Sequence, residues 1–156
     1  MQSQNNDQQR EAYTQLIYFT EVDKIKKNDY AVLCSIPCRV TETYSIGLKV
    51  EFPNYFIVGC DIFTGKKYEQ KFKNKDLVEV PIVQYSEYLL IDISDDDYLT
   101  LLLNYGQIKE DVKLPQEEPQ LVEKLKADFQ SQKEILITIF SALGKEKIVS
   151  YKLTNV

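Results

Sequence analysis

Three groups of residues in this chain have types and spacings that could do chemistry. They are the cysteines Cys34, Cys38 and Cys60, the clustered lysines Lys66, Lys67, Lys71, Lys73 and Lys75, and the acidic triplet Asp95, Asp96 and Asp97. A tetrahedral all-thiolate zinc site needs four ligands, and no second pair follows Cys34 and Cys38, so free thiols are the simpler reading. The acidic triplet has the charge to hold a divalent ion, but adjacent carboxylates between strands read more simply as a hydrated hairpin turn. Each lysine of the cluster can neutralise one phosphate, which makes a polyanion the partner to weigh against a merely solvated face. The 156 residues include no histidine. That removes Ser-His-Asp and Cys-His catalysis, histidine-ligated zinc and an imidazole pH switch. With no glycine-rich phosphate loop either, the residues point to a binding protein rather than an enzyme, with no metal and no resident cofactor.

The elements that must position these groups divide near Pro81. The formal net charge is −5. Residues 12–82 carry ten basic and nine acidic side chains, whereas residues 83–156 carry eight and thirteen, so the acidity sits in the second half. The opening MQSQNNDQQR has no apolar core and reads as a polar disordered tail over 1–12, not a signal peptide. No stretch approaches the ~20 apolar residues of a spanning helix, so a cytoplasmic protein is expected.

From residue 28 onward the pattern is that of short strands. Tyr30 to Ile36 is an apolar run that stops at Pro37, Cys38 to Tyr44 alternates, and Tyr55 to Phe63 is nearly continuous β-branched and aromatic sequence closed by Thr64-Gly65-Lys66-Lys67. Lys67 to Phe72 and Leu77 to Val80 complete the first series. The second series is Tyr85 to Ile93, Tyr98 to Leu103, Gln107 to Leu114, Ile135 to Phe140 and Lys147 to Leu153. One helix interrupts it: Pro119 suits a first turn, and Leu121, Leu125 and Phe129 share a face. Three strands, a helix and two strands is the order of a five-stranded OB-type barrel; an antiparallel sheet with a helix would read alike.

Asp61-Ile62-Phe63-Thr64-Gly65-Lys66-Lys67-Tyr68-Glu69 resembles the DIFTGKKYE signature of the eukaryotic translation initiation factor 5A family. Lys27 to Leu33, Pro37-Cys38-Arg39-Val40, Gly59, Val80-Pro81 and Glu110 to Pro115 are similar to further family segments and fall in the family's order, from about residue 13 to 153. The resemblance implies an all-β chain, with an N-terminal SH3-like barrel over 13–81 and a C-terminal OB-fold barrel with one short helix over 82–156. It implies a non-enzymatic factor that binds the ribosome (rRNA and peptidyl-tRNA) and promotes elongation and termination by steadying peptidyl-tRNA at slow sequences such as proline runs. Lys66 and Lys67 become candidate rRNA or tRNA contacts. The family also carries hypusine, built from spermidine on a loop lysine, so deoxyhypusine synthase joins the ribosome as an implied partner.

The loop that would carry hypusine departs from the family pattern, S-K-T-G-K-H-G-H-A-K. Here it reads Thr43-Tyr44-Ser45-Ile46-Gly47-Leu48-Lys49-Val50-Glu51-Phe52-Pro53-Asn54-Tyr55, one residue shorter between Pro37 and Gly59. Counting back from Gly59 puts Lys49 at the modified position. Counting forward from Pro37 puts Val50 there, and aligning Gly47 puts Leu48 there. The flanking histidines are gone, and Tyr44, Ile46, Leu48, Val50 and Phe52 alternate with polar residues as in a strand, with Phe52-Pro53-Asn54-Tyr55 as a turn. A second reading follows: a non-hypusinated relative whose apolar loop 44–56 docks a protein partner.

Overall fold

The structure, a computed structural model, describes residues 2–47 and 52–154. The chain separates into two compact units, Met1–Ile82 and Val83–Val156.

The first unit opens with helix α1 (Gln2–Thr14), where the sequence reading expects a disordered tail. Gln, Arg, Glu and Ala are adequate helix formers, and the last turn is tied down: the Tyr13 hydroxyl donates to the Glu79 carboxylate. Burial, followed by that carboxylate, pushes the Tyr13 phenol up to about 12. Strand β1 (Ile17–Glu21) follows, in a stretch where the sequence reading places no strand.

After a short 3-10 turn at Val22–Lys24 come β2 (Tyr30–Leu33), β3 (Ile36–Ile46), β4 (Asn54–Asp61), β5 (Lys67–Phe72) and β6 (Leu77–Pro81). Strands β2-β3-β4-β5 form one antiparallel sheet, and β1 pairs with β6 as a two-stranded ribbon. They enclose a core of Val22, Ile25, Ala31, Leu33, Cys38, Val40, Ile57, Phe72, Val78 and Val80, and the result is an SH3-like barrel.

The apolar run 30–36 does not stop at Pro37. It turns at Cys34 (φ 52°) and Ser35 (φ 67°), and Pro37 lies inside β3 opposite Val32. Two central residues with positive φ are the hairpin geometry that suits strand twist, here made without glycine or asparagine, which is why the sequence conceals it. Thr41 is bulged out between the pairs Val40–Gly59 and Glu42–Val58, and its hydroxyl donates to the Val58 carbonyl at 3.2 Å.

Beyond the bulge β3 and β4 continue as a long hairpin, ending at the pair Ile46–Asn54. Asn54 and Tyr55, expected in a turn over 52–55, are instead strand residues paired with Ile46 and Ser45. Leu48, Lys49 and Val50 lie outside the described residues.

The second unit contains β7 (Gln84–Ile93), β8 (Tyr98–Leu102), β9 (Ile108–Lys113), α2 (Pro119–Gln130), β10 (Ile135–Ala142) and β11 (Lys145–Leu153). The sheet order is β11-β10-β7-β8-β9, all antiparallel. Register shifts interrupt β7–β8, β8–β9 and β10–β11; such bulges bend a sheet toward closure, and the extra residues Ile91 and Val149 are pushed out to solvent. Lys109 on β9 reaches Glu146 on β11 at 2.9 Å, so an ion pair spans the two edge strands and the sheet curls into an OB barrel.

Helix α2 begins with Pro119, whose missing N–H is no loss in a first turn. It seats Leu125 fully buried, with Leu121 and Phe129 half-buried, against Leu99, Leu101, Ile135, Ile137 and Ile139.

Candidate nucleic-acid interface

The β4–β5 turn carries the two lysines singled out by sequence, and it is built around one carboxylate. Asp61 is the buried charged residue of the described chain, at 8% exposure. Its Oδ1 accepts the Phe63 N–H at 2.8 Å and its Oδ2 accepts the Thr64 hydroxyl at 2.9 Å. Its own N–H donates to the Lys66 carbonyl at 2.8 Å, and its carbonyl accepts the Gly65 N–H at 2.8 Å. The Ile62 N–H donates to the Pro37 carbonyl at 3.0 Å, which pins the turn to β3. Gly65 sits at φ 79°, where only glycine is free of strain. The run Asp-Ile-Phe-Thr-Gly is therefore a self-bonded turn that delivers Lys66 and Lys67 to the surface. Lys66 Nζ lies 5.2 Å from the centre of the Tyr68 ring, a cation–π distance.

Strand register adds a third cation that the sequence reading passed over. Arg39 pairs with Cys60, and Cys60 with Lys67, so Arg39 and Lys67 share the outer face of the sheet on either side of Cys60. The pairing signal was present in the alternation of β3 and β5, but only the register brings these two residues to one place.

Further along that face Glu42 and Glu69 flank Val58, and then Tyr44, Phe56 and Lys71 lie in a row. Tyr44 stacks on Phe56 with centroids 4.9 Å apart and planes 7° from parallel. The Tyr44 hydroxyl donates to the Glu69 carboxylate, which holds the phenol above its ordinary value. The lysine run is thus not one patch. Lys66 and Lys67 lie with Arg39 at one end of β4, while Lys71 and Lys73 lie at its other end, toward the hairpin. Eight residues of strand separate the ends by about 23 Å at ~3.3 Å per residue.

The described residues next to the hairpin end include two exposed apolar side chains. Ile46 and Phe52, on either side of the tip, are 58% and 68% exposed. Gly47 has φ 95° and leads into the tip. The structure therefore separates two groups of site residues: Gly47 leads into the 48–51 segment at one end of β4, and Lys66 and Lys67 stand at the other.

The remaining candidates are accounted for structurally. Cys34 is exposed, Cys60 half-buried and Cys38 buried, all free thiols; burial and then the Asp61 charge push Cys38 up to about 11. Asp97 closes the acidic turn and bonds Lys126 at 2.8 Å and Gln116 at 3.3 Å, which holds its carboxyl below the usual range. Among the described residues no cluster of histidine, cysteine or acidic side chains can hold a metal ion. No described helix is long and apolar enough to cross a membrane.

Comparison with known proteins agrees with this geometry in both units. Residues 17–75 match the family described as translation initiation factor 5A-like, N-terminal, and residues 82–152 match the family described as eukaryotic elongation factor 5A hypusine, DNA-binding OB fold. Initiation factor 5A of Spodoptera exigua is 38% identical over 130 residues, covering 82% of this chain and 79% of its own. Factor 5A-2 of Saccharomyces cerevisiae is 38% identical over 137 residues, covering 86% and 85%. Among solved structures, an initiation factor 5A family protein of Naegleria fowleri superposes with a TM-score of 0.80 at 37% identity over 88% of this chain and 99% of that one. The Methanococcus jannaschii factor shares the fold at a TM-score of 0.66 and 20% identity.

An SH3-like barrel and an OB barrel in tandem, with a lysine-bearing turn in the first, define a two-domain translation factor that works by binding and not as an enzyme. The chain belongs to the translation initiation factor 5A family. That family is one of hypusine-bearing translation factors, and translation factors act in association with the ribosome.

Proposed function

We propose that this chain, in the cytoplasm, binds the ribosome beside peptidyl-tRNA and promotes elongation and termination by holding the tRNA acceptor end in a productive position. The factor contributes positioning, and the ribosome makes the bond. The β3–β4 hairpin is the element that reaches toward the acceptor end. Lys66 and Lys67 meet phosphates of rRNA or tRNA.

The observation that carries this reading is the hairpin itself. Its described ladder ends at Ile46–Asn54, residues 47–53 connect the two strands in sequence, and Lys49 is the one lysine anywhere between Arg39 and Lys66. A spermidine-derived hypusine, made with deoxyhypusine synthase, requires a lysine. Neither Leu48 nor Val50 can serve, so Lys49 is the residue for it in this hairpin whatever the alignment register. Intact mass with fragmentation, on protein purified from its native host, tests the point: hypusine at Lys49 is expected, and an unmodified Lys49 removes the hypusine-dependent part. Cosedimentation with ribosomes that weakens as salt rises tests the remainder. A chain that stays out of the ribosomal fractions at low salt overturns it.

One observation favours a second reading, an apolar protein-docking loop over 44–56: Ile46 and Phe52 stand exposed at the hairpin end. On that reading Phe52→Asp abolishes partner binding while Lys49→Arg leaves it intact. On the first reading Lys49→Arg is the damaging change.

A further inference from the structure

We infer that Arg39, Lys66 and Lys67 form a separate anchoring surface for an RNA phosphate backbone, and that Asp61 is its positioning residue. The inference rests on the ribosome-binding reading and adds to it a second attachment point, about 23 Å along β4 from the hairpin.

Register brings Arg39 and Lys67 together on the outer face, on either side of Cys60. Lys66 stands in the turn immediately ahead of Lys67, with its Nζ over the Tyr68 ring, so it adds its charge at the same end of β4. All three are exposed, and among the described residues none has a carboxylate within ion-pair distance. An unpaired cation is free to displace the counterions of a phosphate backbone. The acids on the same face, Glu42 and Glu69, lie further along toward the hairpin, on either side of Val58.

Asp61 holds this surface without touching it. Burying a carboxylate is costly unless its oxygens are bonded, and here both are used inside the turn, one on Phe63 and one on Thr64. The Thr64 hydroxyl in turn accepts the Lys66 N–H at 3.3 Å, so Asp61 reaches Lys66 through one side chain as well as through its own N–H. Replacing Asp61 with alanine removes both side-chain acceptors and leaves the turn from Phe63 to Lys66 held by its backbone bonds alone. Asparagine keeps an acceptor for Phe63 and a polar partner for Thr64.

The test is the affinity of the full chain for purified eukaryotic ribosomes as a function of potassium chloride, for the parent, R39Q, K66Q/K67Q, D61A, D61N and the combination of D61A with K66Q/K67Q. Each lost phosphate contact lowers the log–log salt slope by roughly 0.7–0.9. R39Q is expected to lower it by about one such step and K66Q/K67Q by about two. D61A is expected to lower it by about one step, the share of Lys66, and to add nothing on top of K66Q/K67Q, whereas D61N stays near the parent. Losses from D61A and K66Q/K67Q that simply add would overturn the positioning role, because a purely structural defect adds. An R39Q slope equal to the parent's would remove Arg39 from the surface.

A second readout is independent of the ribosome: the ring-current shift of the Lys66 side-chain protons over Tyr68. It should be lost in D61A and kept in D61N; if D61A keeps it, Asp61 does not position Lys66. If K66Q/K67Q binds with the parent slope, the phosphate contact itself is wrong, and the ring-current result still decides the role of Asp61.

Discussion

Gly59→Ala is the change whose cost can be worked most directly from this structure. Gly59 sits in β4 opposite Val40, beside the Thr41 bulge. A Cβ added there meets the Arg39 carbonyl oxygen at 2.8 Å, the Cys38 Cβ at 3.1 Å and the Leu33 Cδ1 at 3.2 Å. The first contact is with backbone inside the sheet and has nowhere to go. The other two belong to side chains with 0% exposure. Inserting a methyl into such a site costs about 1–3 kcal/mol, and the stiffer unfolded chain of alanine returns about 0.4–1 kcal/mol. The difference spans about 0–2.6 kcal/mol and is centred on ~1.3 kcal/mol, and because the closest contact is with unyielding backbone the upper half applies, which for a unit of this size lowers Tm by roughly 5–20 °C. The assay is thermal unfolding of the full chain followed by resonances of each unit separately. The first unit is expected to melt earlier while Leu99 and Ile137 in the second report an unchanged transition. A first unit equally or more stable would refute the close approach of β3 and β4 on which the hairpin geometry depends. Gly65→Ala supplies the contrast: its added Cβ meets nothing within 4 Å, but φ is 79°, so the cost, about 1 kcal/mol, is backbone strain alone.

Leu125→Ala is expected to cost about 2–5 kcal/mol, visible as a lower urea midpoint for the second unit only, because Leu125 is the fully buried residue of α2. Ser35→Gly relieves a non-glycine residue at φ 67° and is expected to raise the melting temperature of the first unit by a few degrees, since the relief of about 1–2 kcal/mol exceeds the entropy cost of a new glycine. Tyr13 and Tyr151 are both pushed up to about 12, by burial first and then by the carboxylates of Glu79 and Asp128. A phenol raised in the folded state contributes stability that is whole below pH 10 and lost as pH climbs toward 12; Tyr13→Phe should flatten that loss in the first unit, and Tyr151→Phe in the second, in melts taken across this range. Alkylation at pH 8 should modify Cys34 first, Cys60 slowly and Cys38 only on unfolding, as mass spectrometry of timed samples would show.

Most of the second unit was legible in the sequence, because its strands are apolar runs bounded by turn residues and Pro119 announces the helix with Leu121, Leu125 and Phe129 on one face. Less of the first unit could be read. The β2–β3 turn lacks glycine, so Pro37 read as a stop when it is a strand residue. Strand β1 pairs only with β6, some sixty residues away in sequence, and no local pattern reveals such a partner. Helix α1 is mostly polar and touches the barrel through Tyr13 bonding Glu79, a tertiary contact. At the site, the nine-residue run from Asp61 to Glu69 was recognisable as a unit, but its spacing gave no hint that Asp61 is buried inside the turn. Nor did it show that Lys66 and Lys67 stand at one end of a strand and Lys71 and Lys73 at the other, or that Arg39 joins the first pair, since both facts follow from register between strands.

The most direct test of the account is peptide synthesis on purified ribosomes translating a message with a run of prolines, with and without the chain purified from its native host. Faster passage through the run is expected, and it should diminish with Lys49→Arg and with K66Q/K67Q. A chain that binds those ribosomes to saturation and leaves the rate at the prolines unchanged would contradict the claim that it steadies peptidyl-tRNA.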